Sequence, residues 1–146
     1  MRILIIHGPN LNQLGQRDTE FYGTKTLEEI DALLGDEAMA LGIDIDTFQS
    51  NGEGELINLI QKEAPEAHGI IVNPGALTHY GLSLRDALAD IGIPVIEVHL
   101  SNIYAREDFR RNSVIAPVAK GQISGLGWRS YVIALRAMAD ELREQS

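Results

Sequence analysis

Four short apolar runs, Arg2 to Ile6, Ile43 to Phe48, Gly69 to Val72 and Pro94 to His99, are each bounded by turn residues and separated by segments of helical period. Apolar runs of this length read as strands buried on both faces. The first helix is predicted over Thr26 to Leu41, where Thr26 and Glu29 form a capping box and Gly42 supplies the C-terminal cap. Leu56, Ile57, Leu59 and Ile60 give a second helix over Glu53 to Ala64, and a third runs from Thr78 to Ile91, ahead of Gly92. After a charged stretch, Tyr104 to Asn112, come a fifth strand over Ala119 to Ser124 and a last helix from Leu126 to Glu144. Strands alternating with such helices imply repeated βαβ units, hence a parallel sheet covered on both faces. Five of them predict a flavodoxin-like three-layer α/β fold with strand order 2-1-3-4-5, formed by residues 1–146 as a single domain.

Composition narrows the partners. The 45% hydrophobic and 23% charged residues match an ordinary globular chain. A formal net charge of −9 argues against nucleic acid, whose binding rests on clustered Lys and Arg. The absence of Cys removes disulfides and thiol chemistry and fits a reducing compartment, so a cytoplasmic location is expected. No apolar run approaches the roughly 18 residues of a membrane span, and no membrane partner is expected.

One connection is out of proportion. From His7 to Gly23 the chain reads HGPNLNQLGQRDTEFYG, seventeen mostly polar residues after a strand. Connections usually take about 4 to 6 residues, and longer ones are functional or disordered. In a sheet of this order, ligands bind past the carboxyl ends of the strands, where strand order reverses. The residues there are His7 to Asn10, Ser50 with Asn51, Asn73 with Pro74 and Gly75, and His99 with Ser101 and Asn102. Any one of these sets is an ordinary turn; four together, with two His, point to a pocket.

Several chemistries lack their residues. There is no Walker loop or dinucleotide fingerprint, and His7, His68, His79 and His99 lack metal-motif spacing, so neither a nucleotide cofactor nor a metal is expected. His68 reads as a surface or edge residue. Lys25, Lys62 and Lys120 do not suggest a Schiff base, and a hydrolase using Ser101 with His99 lacks a GxSxG elbow. What remains is Arg17 and Tyr22 in the long loop, amides and His99 at strand ends, and Arg106, Arg110 and Arg111 in the charged stretch. That set suits anion binding with proton transfer, though solvated arginines and a core-packed loop tyrosine remain open readings. A binding module for a small polyhydroxy acid is the non-enzymatic alternative.

HGPNLNQLGQR, Tyr22, NPGALTH, Arg85 with Asp86, IEVHLSN and AREDFRR, in this order and spacing, resemble the type II 3-dehydroquinate dehydratases across nearly the whole chain. The resemblance implies a lyase that converts 3-dehydroquinate to 3-dehydroshikimate by anti elimination through an enolate, without metal or cofactor. Such an enzyme serves the shikimate pathway or quinate breakdown. It implies Tyr22 as proton acceptor, Arg17 as its stabilising cation, Asn10 at the enolate oxygen, His99 as proton donor and Glu97 as the group orienting it. Substrate would be bound by Asn73, His79, Leu100, Ser101 and Arg110, with Asp86 arriving from a neighbouring subunit of a homododecamer, a tetramer of trimers. An ordinary phenol, of pKa about 10, is ionised to about one part in a thousand at pH 7, so such a base needs cations beside it. HGPN then reads as a turn and LNQLGQRDTEFYG as a lid. Two positions depart from the resemblance: His7, where many such chains have Asn, and Gly81, where Ser is common.

Overall fold

The computed structural model describes residues 1–146. Five strands, β1 (Arg2–His7), β2 (Asp44–Gln49), β3 (Gly69–Asn73), β4 (Val95–His99) and β5 (Gly121–Ser124), pair in parallel in the order β2-β1-β3-β4-β5. The predicted topology is therefore the one observed. Ile3 pairs with both Ile45 and Gly69, which puts β1 between β2 and β3 and the reversal of strand order between β1 and β3.

Alternation along the strands divides the core in two. Ile3, Ile5, Ile71, Ile96 and Val98 face α2 (Leu27–Leu41) and α5 (Arg129–Glu144), where Ile30, Leu34, Tyr131, Leu135 and Met138 meet them. Leu4, Ile6, Ile70, Val72 and Val95 face the other way, onto α3 (Glu53–Glu63) and α4 (Leu82–Asp90), against Leu56, Ile60, Leu84 and Leu88. Both faces of β1, β3 and β4 are thus covered, which is why residues 3–6, 70–72 and 95–96 are continuous apolar runs, with polar residues confined to Glu97 and the strand ends. No helix is long and apolar enough to cross a membrane.

The element boundaries differ from expectation where short turns precede a helix or strand. Residues Gly75–His79 form a 3₁₀ turn, so α4 begins at Leu82 and not at Thr78. A second 3₁₀ turn, Ala116–Val118, takes up the approach to β5, which starts at Gly121. Likewise α5 starts at Arg129, because the chain first turns through Gly127. The capping box of α2 is present as read: Glu29 N–H donates to Thr26 Oγ1 at 3.2 Å and Thr26 N–H to Glu29 Oε1 at 3.3 Å.

Gly81, one of the two departures, has a physical account. It precedes α4 without a side chain to cap the helix, and Glu53 of α3 supplies that cap, accepting from Leu84 N–H at 2.9 Å. A Cβ at position 81 would stand 2.8 Å from the Leu77 carbonyl oxygen and 3.3 Å from Glu53 Oε2, so the glycine leaves room for its substitute cap.

Candidate active site

Two strand ends touch at the switch point. Gly8 N–H donates to the Asn73 carbonyl at 2.8 Å, and a Cβ at Gly8 would lie 2.5 Å from the carbonyl oxygen of Pro74. This contact draws Pro9 and Asn10, after β1, alongside Asn73 and Gly75, after β3. Asn10 is held at φ 70°, with its N–H donating to Asn51 Oδ1 at 2.9 Å. Such a left-handed conformation is one that Asn tolerates better than most residues.

Above these strand ends lies a cavity of ≈ 150 Å³. Of the residues read from the sequence, Asn10, Arg17, Tyr22, Asn73, His79, His99, Leu100, Ser101, Arg106 and Arg110 line it, while Arg111 does not. Glu97 stands behind His99. Asp86 does not line the cavity within its own chain; its side chain is 70% exposed on α4, paired with Arg85 at 3.2 Å.

The long connection after β1 is not a plain loop. Leu11 and Leu14 are buried in the core, a 3₁₀ turn spans Leu11–Gln13, and a short helix, α1 (Thr19–Tyr22), carries the tyrosine at its end. Tyr22 Oη receives two guanidinium donors: Arg106 Nη1 at 2.8 Å and Arg17 Nη2 at 3.2 Å. Arg17 also lies over the Tyr22 ring at 4.3 Å, and Arg106 over the Phe21 ring at the same distance. The part played by Arg106 was missed in the sequence, where only Arg17 was matched to the tyrosine. Its sole signal was membership of AREDFRR, which cannot say which of three arginines turns inward.

On the opposite wall, Glu97 is fully buried and His99 nearly so. His99 Nε2 donates to Glu97 Oε2 at 2.6 Å, leaving Nδ1 free for another partner. Thr78 Oγ1 donates to the same carboxylate oxygen, and Ser113 Oγ stands 3.0 Å from both. Burial by itself would push the Glu97 carboxyl up, but the hydrogen bond and charge of His99, with Thr78, hold it below the usual carboxylate range. Thr78 and Ser113 were not singled out in the sequence, because neither belongs to a motif with chemical content.

The remaining polar groups are fixed too. His79 Nδ1 donates to the Asn112 carbonyl at 2.8 Å, which leaves its Nε2 unengaged. Arg110 is steadied by Glu107 at 2.6 Å, and Ser101 Oγ accepts from Arg106 at 3.1 Å. Ser101 makes no hydrogen bond to His99, so the hydrolase alternative lacks its nucleophile–base contact. None of the three lysines lines the cavity: Lys25 lies over Trp128, Lys120 pairs with Glu141, and Lys62 is exposed on α3. Nor does any group of three His, Asp or Glu side chains converge as a metal site would require. His68 is exposed at a sheet end, accepting from Arg2 N–H at 3.0 Å.

Groups able to exchange protons, Tyr22 and His99, line one small polar cavity at a parallel-sheet switch point, which marks a flavodoxin-like α/β enzyme acting on a small molecule. Residues 1–139 match the family model described as Dehydroquinase class II. The 3-dehydroquinate dehydratase of Roseiflexus castenholzii is 63% identical over 135 residues, covering 92% of this chain and 86% of that protein. That of Pelotomaculum thermopropionicum is 58% identical, covering 95% and 96%. Among solved structures, the type II dehydroquinase from Butyrivibrio crossotus superposes with a TM-score of 0.93 at 43% identity, covering 94% of this chain and 97% of that one. The chain belongs to the class II dehydroquinase family.

Proposed function

We propose that residues 1–146 form one catalytic domain that removes water from 3-dehydroquinate to give 3-dehydroshikimate, a step of the shikimate pathway. The observation that carries this reading is the pair of guanidiniums on Tyr22 Oη in the same cavity that His99, backed by the buried Glu97, also lines. A substrate held in this cavity would meet the Tyr22 oxygen, with its two guanidinium partners, and the His99 ring together.

Tyr22 takes a proton from the carbon next to the ketone, and the electron pair moves onto the ketone oxygen as an enolate. Asn10 serves that oxygen directly or through a water. Collapse of the enolate expels the hydroxyl on the next carbon, which His99 protonates as it leaves. Glu97, ionised behind the ring, holds the imidazole's Nε2–H so that Nδ1 carries the transferred proton. Ser101 Oγ and the Leu100 backbone N–H receive the substrate carboxylate, while Asn73, His79 and Arg110 bind its other oxygens.

Replacing Tyr22 with Phe removes the base while keeping the ring. Turnover followed by ultraviolet absorbance of the conjugated product should fall by about 10²–10⁴-fold. Near-normal turnover would sink this reading. The same assay run in EDTA tests whether the reaction proceeds without metal.

Asp86 points away from its own cavity, which suits a residue contributed to a neighbour's site. We place it in a homododecamer, a tetramer of trimers. Light scattering should return a dodecamer mass; a stable monomer would remove Asp86 from the site.

A further inference from the structure

Behind the cavity wall a chain of polar groups, buried except for the partly exposed Asp31 at its outer end, leads away from the site. Asn73 Nδ2 donates to Tyr131 Oη at 3.1 Å, Tyr131 Oη meets His7 Nδ1 at 2.8 Å, and His7 Nε2 meets Asp31 Oδ1 at 2.8 Å. His7 and Tyr131 are fully buried, and neither has a part in the reaction as set out above. The four groups come from β1, β3, α2 and α5, so they tie the helical layer on one face to the strand ends that form the site.

The hydrogens in this chain are determined by elimination. A carboxylate only accepts, so His7 Nε2 carries a hydrogen toward Asp31. Gly75 N–H donates to Asn73 Oδ1, which puts Nδ2 against Tyr131 Oη, so the one acceptor left for the Tyr131 hydrogen is His7 Nδ1. Burial pushes the Tyr131 phenol far up, which keeps that hydroxyl a donor. Its oxygen is left to accept from Asn73, and each hydrogen lying between these four groups finds an acceptor.

The same contacts fix which way round the Asn73 carboxamide sits. Its Oδ1 accepts from Gly75 N–H at 3.1 Å, while Nδ2 spends one hydrogen on Tyr131. Turned over, the amide would set Oδ1 and His7 Nδ1 in competition for one hydroxyl hydrogen and place two donors against each other at Gly75. Only one orientation satisfies the chain, and it leaves the second N–H of Asn73 for a ligand in the cavity that this residue lines.

We infer that His7 is a positioning residue for substrate binding: through Tyr131 it locks the Asn73 carboxamide so that an N–H, and not the carbonyl, is presented to a substrate oxygen. This rests on the dehydratase reading for the identity of the substrate, but the lock itself is a property of the unliganded chain.

His7→Leu keeps the size of the group while removing the acceptor. With 3-dehydroquinate as substrate, kcat/KM should fall about tenfold, mainly through KM, as expected when one binding group is misplaced. His7→Asn, whose Oδ1 stands as many bonds from Cα as Nδ1 does, should recover most of that loss. In an Asn73→Ala background, His7→Leu should have almost no further effect, because the residue it acts through is gone. Equal kinetics for His7→Leu and His7→Asn, or an undiminished loss in the Asn73→Ala background, would overturn the inference. Should His7→Leu not fold, Tyr131→Phe breaks the same chain and must show the same non-additivity. If the chain does not act on 3-dehydroquinate, the dehydratase reading fails by itself, and crystal structures then decide this one. In His7→Leu the contact between Asn73 Nδ2 and Tyr131 must be lost; an unmoved Asn73 carboxamide would refute it.

Discussion

The two walls of the cavity are built by different means. His99 sits at the end of a central strand, and its partner Glu97 is two residues back on the same face, buried and held by Thr78 and Ser113. Tyr22 ends a one-turn helix in a long connection, and its hydroxyl is gripped only by Arg17 of that same connection and by Arg106 from the segment after β4. One wall is fixed by the sheet before any ligand arrives. The other exists only while Arg17, Tyr22 and Arg106 come together, and Arg106 lies 84 residues from the tyrosine it contacts. In the proposed reaction the acid is held by its strand and by the side chains of Glu97, Thr78 and Ser113, whereas the base, which must also admit substrate, relies on guanidiniums from flexible side chains.

The comparison breaks most sharply at Arg106. If the two guanidiniums act jointly on the phenol oxygen, Arg106→Met should lower kcat by about 10²–10³-fold, comparably to Arg17→Met. A normal kcat in Arg106→Met would leave Arg17 alone with the base and make the Arg106 contact merely structural. Steady-state rates for the two single variants and the double variant decide this.

A smaller effect sharpens the opposite wall. The depressed Glu97 carboxyl makes its ionised form a source of stability, fully present above the ordinary value of 4.5 and lost as pH falls through the lower folded value. In acid the unfolded chain takes up this proton first. Glu97→Gln should therefore be less stable than the parent near neutrality, with the gap narrowing as the medium is acidified. Denaturant midpoints at several pH values measure it; a constant gap would mean that the carboxylate's charge contributes nothing.

Much of this was legible in the sequence because the strands are short, apolar and closed by turn residues, which gave the sheet and its order. The ends of elements were harder. Thr78 looks helical by period, yet Gly81 and the preceding 3₁₀ turn delay α4 by four residues. Tyr22, His99 and Asn10 stood out through their motifs, while Arg106, Thr78 and Ser113 act through contacts between segments far apart in the chain. His7 was legible only as an exception; that it meets Asp31 and Tyr131 depends on helix packing, which no local pattern encodes. The apparent loop likewise concealed two buried leucines and a helical turn.

Gly8 does not line the cavity and carries no charge, yet the carbonyl 2.5 Å from where its Cβ would stand makes it a gauge block between two strand ends. A single methyl group there would wedge β1 from β3 and move Asn10 and Asn73 apart in one displacement. In a mutational library, position 8 should behave like a member of the site, tolerating nothing larger than hydrogen. The smallest residue in the chain thus sets the spacing on which the largest chemical effects depend.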